Sequence, residues 1–509
     1  MNVLFIFPNF DLCGYKPIAI SQLISLMKKQ GHKVRLFDTS FYDTKNIIQN
    51  RFWIDNKIIG EQLLDFIPVD TSQYGFDKIE ADIDSIFIGL LNEFKPDIVM
   101  ASVLSPEALL TFHLFELVKK YNEDIPTLMG GNHCYADPDG AITNKFTNMI
   151  CIGDGEVPLI ELLNRLSEGR SYDEIKGLWV KGRNDNVTRN LLNQYYTNLD
   201  ELPYLDYDEY DRRQLYRVFC GKVYRSGDYT VTRGCYEKCG YCITETANIL
   251  NSNKYPLRRC ISAERIIDEL IYLKNRYDLN FFRFQDSSFL SVSIDWLKVF
   301  SDLYERKLGL PFCIDVSPQT VTFEKARLLK KMNCVSVSVG VESGNEDFRY
   351  KTLNKTVRDK SILEAFSHLN RFEMRTVSFM LIGFPFETRA DINDSIMMNR
   401  ECHVTSPGIS SFYPFKGTRL RKLSIAHNLF NPDIEPDGVP LFNRGTPLLY
   451  NPRITQDDYQ GIIRTFILYS KLPEAMFGEI KKAEKFDDNG NEAFRNLQAY
   501  YKEKFLQPI

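Results

Sequence analysis

The sequence predicts an α/β protein built as two bodies in series: a doubly wound parallel sheet, then a six-fold βα partial barrel, closed by a small, mainly helical C-terminal cap. Three observations predict this. Short β-rich runs alternate with helical patterns in two separate series, one ending near residue 165 and one running from 228 to about 425. The strands of the first series are continuous apolar runs, as expected where helices cover both faces of a parallel sheet. Strands of the second series instead alternate apolar with small or polar residues, which gives each strand two unlike faces.

In the first series "VLFIFP" precedes an amphipathic stretch over Ile18–Lys29, and "KVRLFD", "DIVMASV", a helical pattern over 107–120, "TLMGG" and "MICIGDGE" follow. They predict a Rossmann-like domain over residues 1–167, with its ligand beyond the carboxyl ends of the strands. Gly130, Gly131 and Gly153 fall at that edge together with Gly14 and Gly155, and several glycines at one edge suit a close backbone approach to a bound cofactor. Residues 168–227, rich in Tyr, Asp and Arg and containing "DELPYLDYDEYDRR", read as a surface linker.

The second series, over residues 228–425, comprises "DYTVTR", "FFRFQD", "FCIDVS", "VSVSVGVES", "RTVSFMLIGF" and "GISSFYP". Six βα units are two short of a closed eight-fold TIM barrel. Val335, Val337, Val339 and Val341 alternate with Ser336, Ser338, Gly340 and Glu342, so the valines are expected against the helices and the small polar set in the lumen. Arg283, Gln285, Thr376 and Ser378 are assigned to the lumen by the same pattern. A lumen lined in this way is hollow and polar, with room for a sizeable ligand. Residues 426–509 mix a Pro/Asn-rich stretch with helical patterns over 457–469 and 473–485 and read as the cap.

Composition narrows the function. The 67 acidic and 63 basic residues nearly cancel, and no Lys/Arg run offers a footprint for phosphate backbones, so nucleic acid is not an expected partner. No stretch approaches the roughly 18 apolar residues that span a bilayer. The N-terminus lacks a basic region and a cleavage site, so the protein is expected in the cytoplasm. Eleven cysteines in such a compartment argue for thiolate metal ligands over a disulfide framework.

"TRGCYEKCGYCIT" (232–244) places Cys235, Cys239 and Cys242 on one loop. Three thiolates at this spacing can wrap three irons of a cuboidal four-iron, four-sulfur cluster and leave the fourth iron without a protein ligand. Gly234 and Gly240 allow the loop to bend tightly. A structural zinc site would need a fourth ligand, and none of the six histidines, at 32, 113, 133, 368, 403 and 427, is near in sequence.

"CYEKCGYC", with Tyr241 directly before the last cysteine and on the loop after the first barrel strand, resembles the radical S-adenosylmethionine superfamily. The resemblance implies that S-adenosylmethionine chelates the open iron and yields a 5′-deoxyadenosyl radical on reductive cleavage. "FQDSSF", "VGVESG" and "LIGFPFET" are similar to that family's strand ends. By resemblance Glu342, Ser343 and Gly344 line the ribose and methionine part of the cofactor, Ile382 and Gly383 its adenine, and Asp286 and Ser287 face cofactor or substrate.

"YKPIAISQLISLMKKQGHKVRLFD", "MGGNHCYADPDG" and "ICIGDGEVPLIELL" are similar to the cobalamin-binding domain that precedes the barrel in one large subgroup. This assigns Gly130, Gly131 and Gly153 to the nucleotide tail of a corrin. Asp11, Cys13 and Gly14 carry no histidine among them, compatible with a corrin unligated on its lower face or with a sheet that has lost its corrin. The resemblance thus implies a cobalamin-dependent methyltransferase acting on an unactivated carbon of a small molecule, lipid or peptide, with a flavodoxin or ferredoxin as reductant. The alternatives are a radical enzyme of the same architecture that rearranges, cyclises or couples carbons, and a non-catalytic iron–sulfur or zinc protein.

Cys313 shares its phase with Asp315 and is expected in the lumen as an inert thiol. Cys13, Cys134 and Cys151 match in number the second cluster of methylthiotransferases, but Cys151 is expected at the start of its strand, away from the ligand edge. His133 is expected at the rim, either near a corrin tail or as a capping or surface residue.

Overall fold

The computed structural model describes the chain apart from residues 11–13, 45–46, 48–63, 65–66, 183, 194, 252–257, 434–445 and 507–509. Asp11 and Cys13 therefore lie outside the described residues.

The first sheet contains β1 (Asn2–Phe7), β2 (Lys33–Asp38), β3 (Ile98–Ser102), β4 (Thr127–Gly130), β5 (Met149–Cys151), β6 (Leu178–Lys181) and β7 (Val187–Arg189) in the order β2-β1-β3-β4-β5-β6-β7. β1 to β5 are parallel. Val3, Phe5 and Met100 pack under helices Ile18–Lys29 and Glu156–Ser167, while Leu4, Ile6 and Val99 pack under Ile83–Phe94 and Ala108–Tyr121. Because β1 lies between β2 and β3, the chain reverses direction across the sheet there, and a crevice opens at the carboxyl ends.

The stretch read as a surface linker is instead structural. β6 and β7 extend the first sheet by antiparallel pairing. β8 (Tyr216–Phe219) and β9 (Lys222–Tyr229) form a hairpin on the edge of the second sheet. Its tyrosines are interior residues: Tyr207 and Tyr210 are buried, with hydroxyls donating to the carbonyls of Asp228 (2.6 Å) and Pro17 (3.2 Å). An aromatic ring with an internal hydroxyl partner buries readily.

β9 leads the second sheet, six residues earlier than "DYTVTR" suggests. Thr232–Arg233 (β10) pairs separately with Arg259–Cys260 (β11). β12 (Phe281–Phe284), β13 (Phe312–Val316), β14 (Cys334–Glu342), β15 (Arg375–Ile382) and β16 (Ser406–Ser411) complete six parallel strands in the order β9-β12-β13-β14-β15-β16.

On β14, Val337, Val339 and Val341 are buried against the helices and Ser338, Gly340 and Glu342 face the lumen. Arg283, Gln285, Cys313 and Asp315 also face it, with Arg283 Nη2 3.8 Å from Asp315 Oδ2. β15 has the opposite phase to the expectation. Ser378 Oγ donates to Asn399 Oδ1 (2.5 Å) on helix Arg389–Glu401, and Thr376 Oγ1 lies 3.2 Å from Thr405 Oγ1, so both face outward. Val377, Phe379 and Leu381 take the lumen side. Helix-borne partners satisfy the hydroxyls, and a one-residue phase error turns a whole strand over.

Helix Gln456–Lys471, capped by Thr455 and Asp458, packs on β16 and on helix Arg389–Glu401. Arg389 holds Glu484 through both carboxylate oxygens (2.6 and 3.1 Å). No helix among the described residues is long and apolar enough to cross a membrane.

A buried ion network joins the two bodies. Lys16 Nζ and Asp228 Oδ2 lie 3.3 Å apart with both side chains fully buried. Asp228 also accepts from Arg217 Nη2 (2.8 Å), Gln285 Nε2 (2.5 Å) and the Lys16 N–H (3.1 Å). Burial pushes the Asp228 pKa up, but Arg217 and Lys16 outweigh it and hold the group below the usual carboxylate range. For Lys16 burial wins over Asp228 and lowers the pKa to about 8. Asp228→Ala strands both cations and is expected to cost about 3–5 kcal/mol in chemical denaturation. A loss under about 1 kcal/mol would show that the network contributes little.

Candidate functional site

The cysteine loop is positioned from below by Asp286, two residues beyond β12. Its carboxylate accepts from the N–H groups of Val231 (3.2 Å) and Thr232 (2.7 Å) and from Thr232 Oγ1 (2.5 Å). Burial raises its pKa to about 6. Asp286 thus braces the chain entering the loop. Ser287, next to it, is exposed at the rim.

Gly234, with φ +91°, turns the chain into the three cysteines. The Gly240 N–H donates to the Leu353 carbonyl (2.8 Å) and its carbonyl accepts from the Leu420 N–H (2.9 Å), so the loop is docked on two sides. Cys239 is buried, and Cys235 and Cys242 are partly exposed. Burial pushes the Cys239 thiol up to about 12 and that of Cys235 above its ordinary value. Such thiols ionise only when a cation compensates them, as bound iron does. Among the described residues no three His, Cys, Asp or Glu side chains converge as single-ion ligands. A cuboidal cluster takes one cysteine on each of three irons, so its thiols need not meet at a point.

Glu342 ends β14 at φ +72°, where the register with β15 skips a residue. A non-glycine residue held there stores strain, a feature concentrated at functional sites. Burial raises the Glu342 pKa against the pull of Lys355, whose Nζ lies 3.8 Å away, and Tyr241. Lys355 is itself buried, which lowers its pKa, but Glu342, Cys239, Glu237 and Cys235 together hold it above the ordinary value. Lys355 lies in a loop without motif or periodicity, and Glu237, although inside the cysteine motif, is not marked out there by its spacing. Tyr241 packs on Phe384 with ring centroids 5.9 Å apart.

The remaining rim residues make contacts within the chain. Ser343 is buried, its Oγ accepting from the Asn345 N–H (3.3 Å). A Cβ on Gly344 would lie 2.2 Å from the Asp394 carbonyl oxygen, and the Gly344 N–H donates to Ser395 Oγ (2.8 Å). Gly383, at φ +85°, donates to Glu387 Oε2 (2.7 Å), and a Cβ there would meet Pro447 at 2.4 Å. Ile382 is buried.

A cavity of about 460 Å³ separates the carboxyl edge of the first sheet from the entry to the cysteine loop. Phe5, Phe7, Met100, Gly130, Gly131 and Gly153 line one side, and Thr230, Arg233, Gly234 and Gln285 the other. A Cβ on Gly131 would lie 2.6 Å from the Val103 nitrogen, so this glycine serves its own backbone. Around Gly130 and Gly153 a Cβ meets nothing closer than 3.8 Å, which leaves these two to give room to a ligand. Cys151 corrects its expectation: it ends β5 and lines the cavity. His133 turns away, packing on Phe112 with Nδ1 3.3 Å from Ser105 Oγ, and burial lowers its pKa to about 4. Cys134 is buried with its thiol against the Met129 carbonyl.

Charges clamp the two sides of the cavity. Arg233 Nη1 lies 2.7 Å from Glu156 Oε1 and 3.5 Å from Asp154 Oδ2, and Arg259 also pairs with Asp154. The loop after β5 is thereby tied to a residue two positions before Cys235.

A three-cysteine loop stands at the rim of a six-strand parallel half-barrel. The Radical SAM superfamily matches residues 229–398, so the chain carries a radical S-adenosylmethionine domain. The chain is 25% identical over 343 residues, 67% of this chain and 72% of the relative, to an uncharacterized methyltransferase of Pyrococcus horikoshii. It is 21% identical over 469 residues, 83% of this chain and 80% of the relative, to the cytidylyl-2-hydroxyethylphosphonate methyltransferase of Streptomyces wedmorensis. The fold is shared across 99% of both chains, at TM-score 0.65 and 14% identity, with the radical S-adenosylmethionine methyltransferase TsrM from Kitasatospora setae, whose structure holds cobalamin and a four-iron, four-sulfur cluster.

Gly344→Ala separates packing from cofactor contact at the rim. Forced against the Asp394 carbonyl, the variant is expected to lose about 1–3 kcal/mol in thermal or denaturant unfolding. Unchanged stability with weakened S-adenosylmethionine binding would return Gly344 to the cofactor site.

Proposed function

We propose that this chain is a cobalamin-dependent radical S-adenosylmethionine enzyme that methylates an unactivated carbon of a small-molecule, lipid or peptide substrate, with a flavodoxin or ferredoxin as electron donor. The observation that carries the reading is the cavity between the first sheet's carboxyl edge and the cysteine loop. It has room for a ligand beside Gly130 and Gly153, and its far wall, at Arg233 and Gly234, leads directly into Cys235. When bound, the cluster supplies the electron that cleaves S-adenosylmethionine, and cobalamin carries the methyl group.

The chain's own residues bind, orient and exclude water. Cys235, Cys239 and Cys242 hold three irons and leave the fourth open to the substrate amino acid group. Glu342 and Tyr241 stand beside the thiols, where a carboxyl without a full set of partners suits the cationic amino group of S-adenosylmethionine. In the lumen, Val377, Phe379 and Leu381 face Arg283 and Asp315, giving a substrate one apolar wall and one charged wall.

Reconstituted under anaerobic conditions, the protein is expected to carry about four irons per chain, and Cys239→Ala to lose most of them. With reductant and cobalamin, turnover is expected to form S-adenosylhomocysteine, which reports methyl transfer, together with 5′-deoxyadenosine, which reports the radical. Full 5′-deoxyadenosine formation without cobalamin, and no S-adenosylhomocysteine, would overturn methylation in favour of a radical rearrangement, cyclisation or coupling.

A further inference from the structure

Glu107 closes the short turn Ser105–Glu107 after β3 and is 7% exposed. Its Oε2 accepts from the Leu104 N–H at 2.9 Å. Among the described residues no other hydrogen bond or ion pair reaches this carboxyl, and Glu107 lines the cavity between the two sheets. A buried carboxylate with one partner and no cation is costly to keep charged. The sequence offered no signal for it, since an acidic residue at a helix start is ordinarily read as a cap.

The groups around it do not supply the missing charge. Tyr15, on the other side of the cavity, is pushed well above its ordinary pKa by burial, with Asp228 and Glu107 adding to the shift, and is neutral. His133, on the helix Asn132–Ala136 packed against the turn, is held neutral by burial, which lowers its pKa to about 4. Cys151, also in the cavity wall, is raised to about 12 by burial. Arg233 is engaged by Glu156 and Asp154. Burial, opposed only by the Leu104 N–H, raises the Glu107 pKa to about 8.

We propose that Glu107 is a cobalamin-recognition residue: with Oε2 fixed by Leu104, its other oxygen carries a proton and donates a hydrogen bond to a carboxamide oxygen of the corrin periphery. The proposal rests on the cobalamin reading above and adds to it the residue and the charge state that the cofactor selects. A ligand filling the cavity removes water from that oxygen, so the ionised form binds the ligand less well than the acid. The acid offers a donor where a carboxamide offers an acceptor.

The test is equilibrium binding of cyanocobalamin, whose axial ligand does not titrate in this range, followed by the absorbance of the bound corrin. If binding requires the acid, wild-type affinity falls about tenfold between about pH 7 and about pH 9. Glu107→Gln keeps the shape, the acceptor for Leu104 and a neutral donor. It is expected to bind within about twofold of wild type near neutrality and to lose the pH dependence. Glu107→Leu, checked for folding by circular dichroism, is expected to bind more weakly at both pH values. A wild-type affinity independent of pH, or the same pH profile in wild type and Glu107→Gln, overturns the role of Glu107 and leaves the cobalamin reading standing. No saturable binding by wild type at any pH overturns both.

Discussion

The two charge networks that bridge the sheets set the geometry on which everything else depends. Lys16, Asp228 and Arg217 join the segment after β1 to the first barrel strand, and Arg233, Arg259, Asp154 and Glu156 join the loop after β5 to the entry of the cysteine loop. Buried ion pairs are weak evidence for net stability, since desolvation offsets much of the attraction. Their directional demand is strong, because a misplaced partner leaves a charge unpaired in a dry interior. The stretch from Asp228 to Cys235 is short and carries both networks, with the Asp286 brace between them. Each thiol is therefore referenced to the first sheet through a few covalent links.

Beside the cysteines, Lys355 faces several acids. Lys355 sits among Glu342, Glu237 and two of the thiols, so its charge is kept although it is buried, while Glu342 has a single cation and its pKa rises. The positive φ of Glu342 points its carboxyl out of the regular pleat and toward Tyr241, at the rim where the proposed chemistry takes place.

Much of the fold was legible because it is local. Continuous apolar strands and the valine alternation on β14 follow from two-residue periodicity, and three cysteines within eight positions need no tertiary information. The failures share one cause: the partner that decides the matter lies far away in sequence. Thr376 and Ser378 read as lumen residues until Thr405 and Asn399 supply their hydrogen bonds. The tyrosines of the stretch 168–227 read as surface residues until internal carbonyls accept from them. Gly131, Gly344 and Gly383 read as cofactor glycines, and a further demand on them, the close approach of Val103, Asp394 and Pro447, also comes from far away in sequence. Lys355 and Glu107 carry no motif, and Arg233, although it stands within the cysteine stretch, is not marked out by it, since the significance of all three comes from the charges or the cavity they face.

The central claim is that a corrin lies between the first sheet and the cysteine loop, facing a cluster whose fourth iron is open. An anaerobic crystal structure with iron, S-adenosylmethionine and cobalamin tests it most directly. The account predicts a cluster held by Cys235, Cys239 and Cys242 with S-adenosylmethionine on its fourth iron, and a corrin in the cavity beside Gly130 and Gly153. A cluster with a fourth protein ligand, or cobalamin bound elsewhere with that cavity filled by side chains, would contradict it.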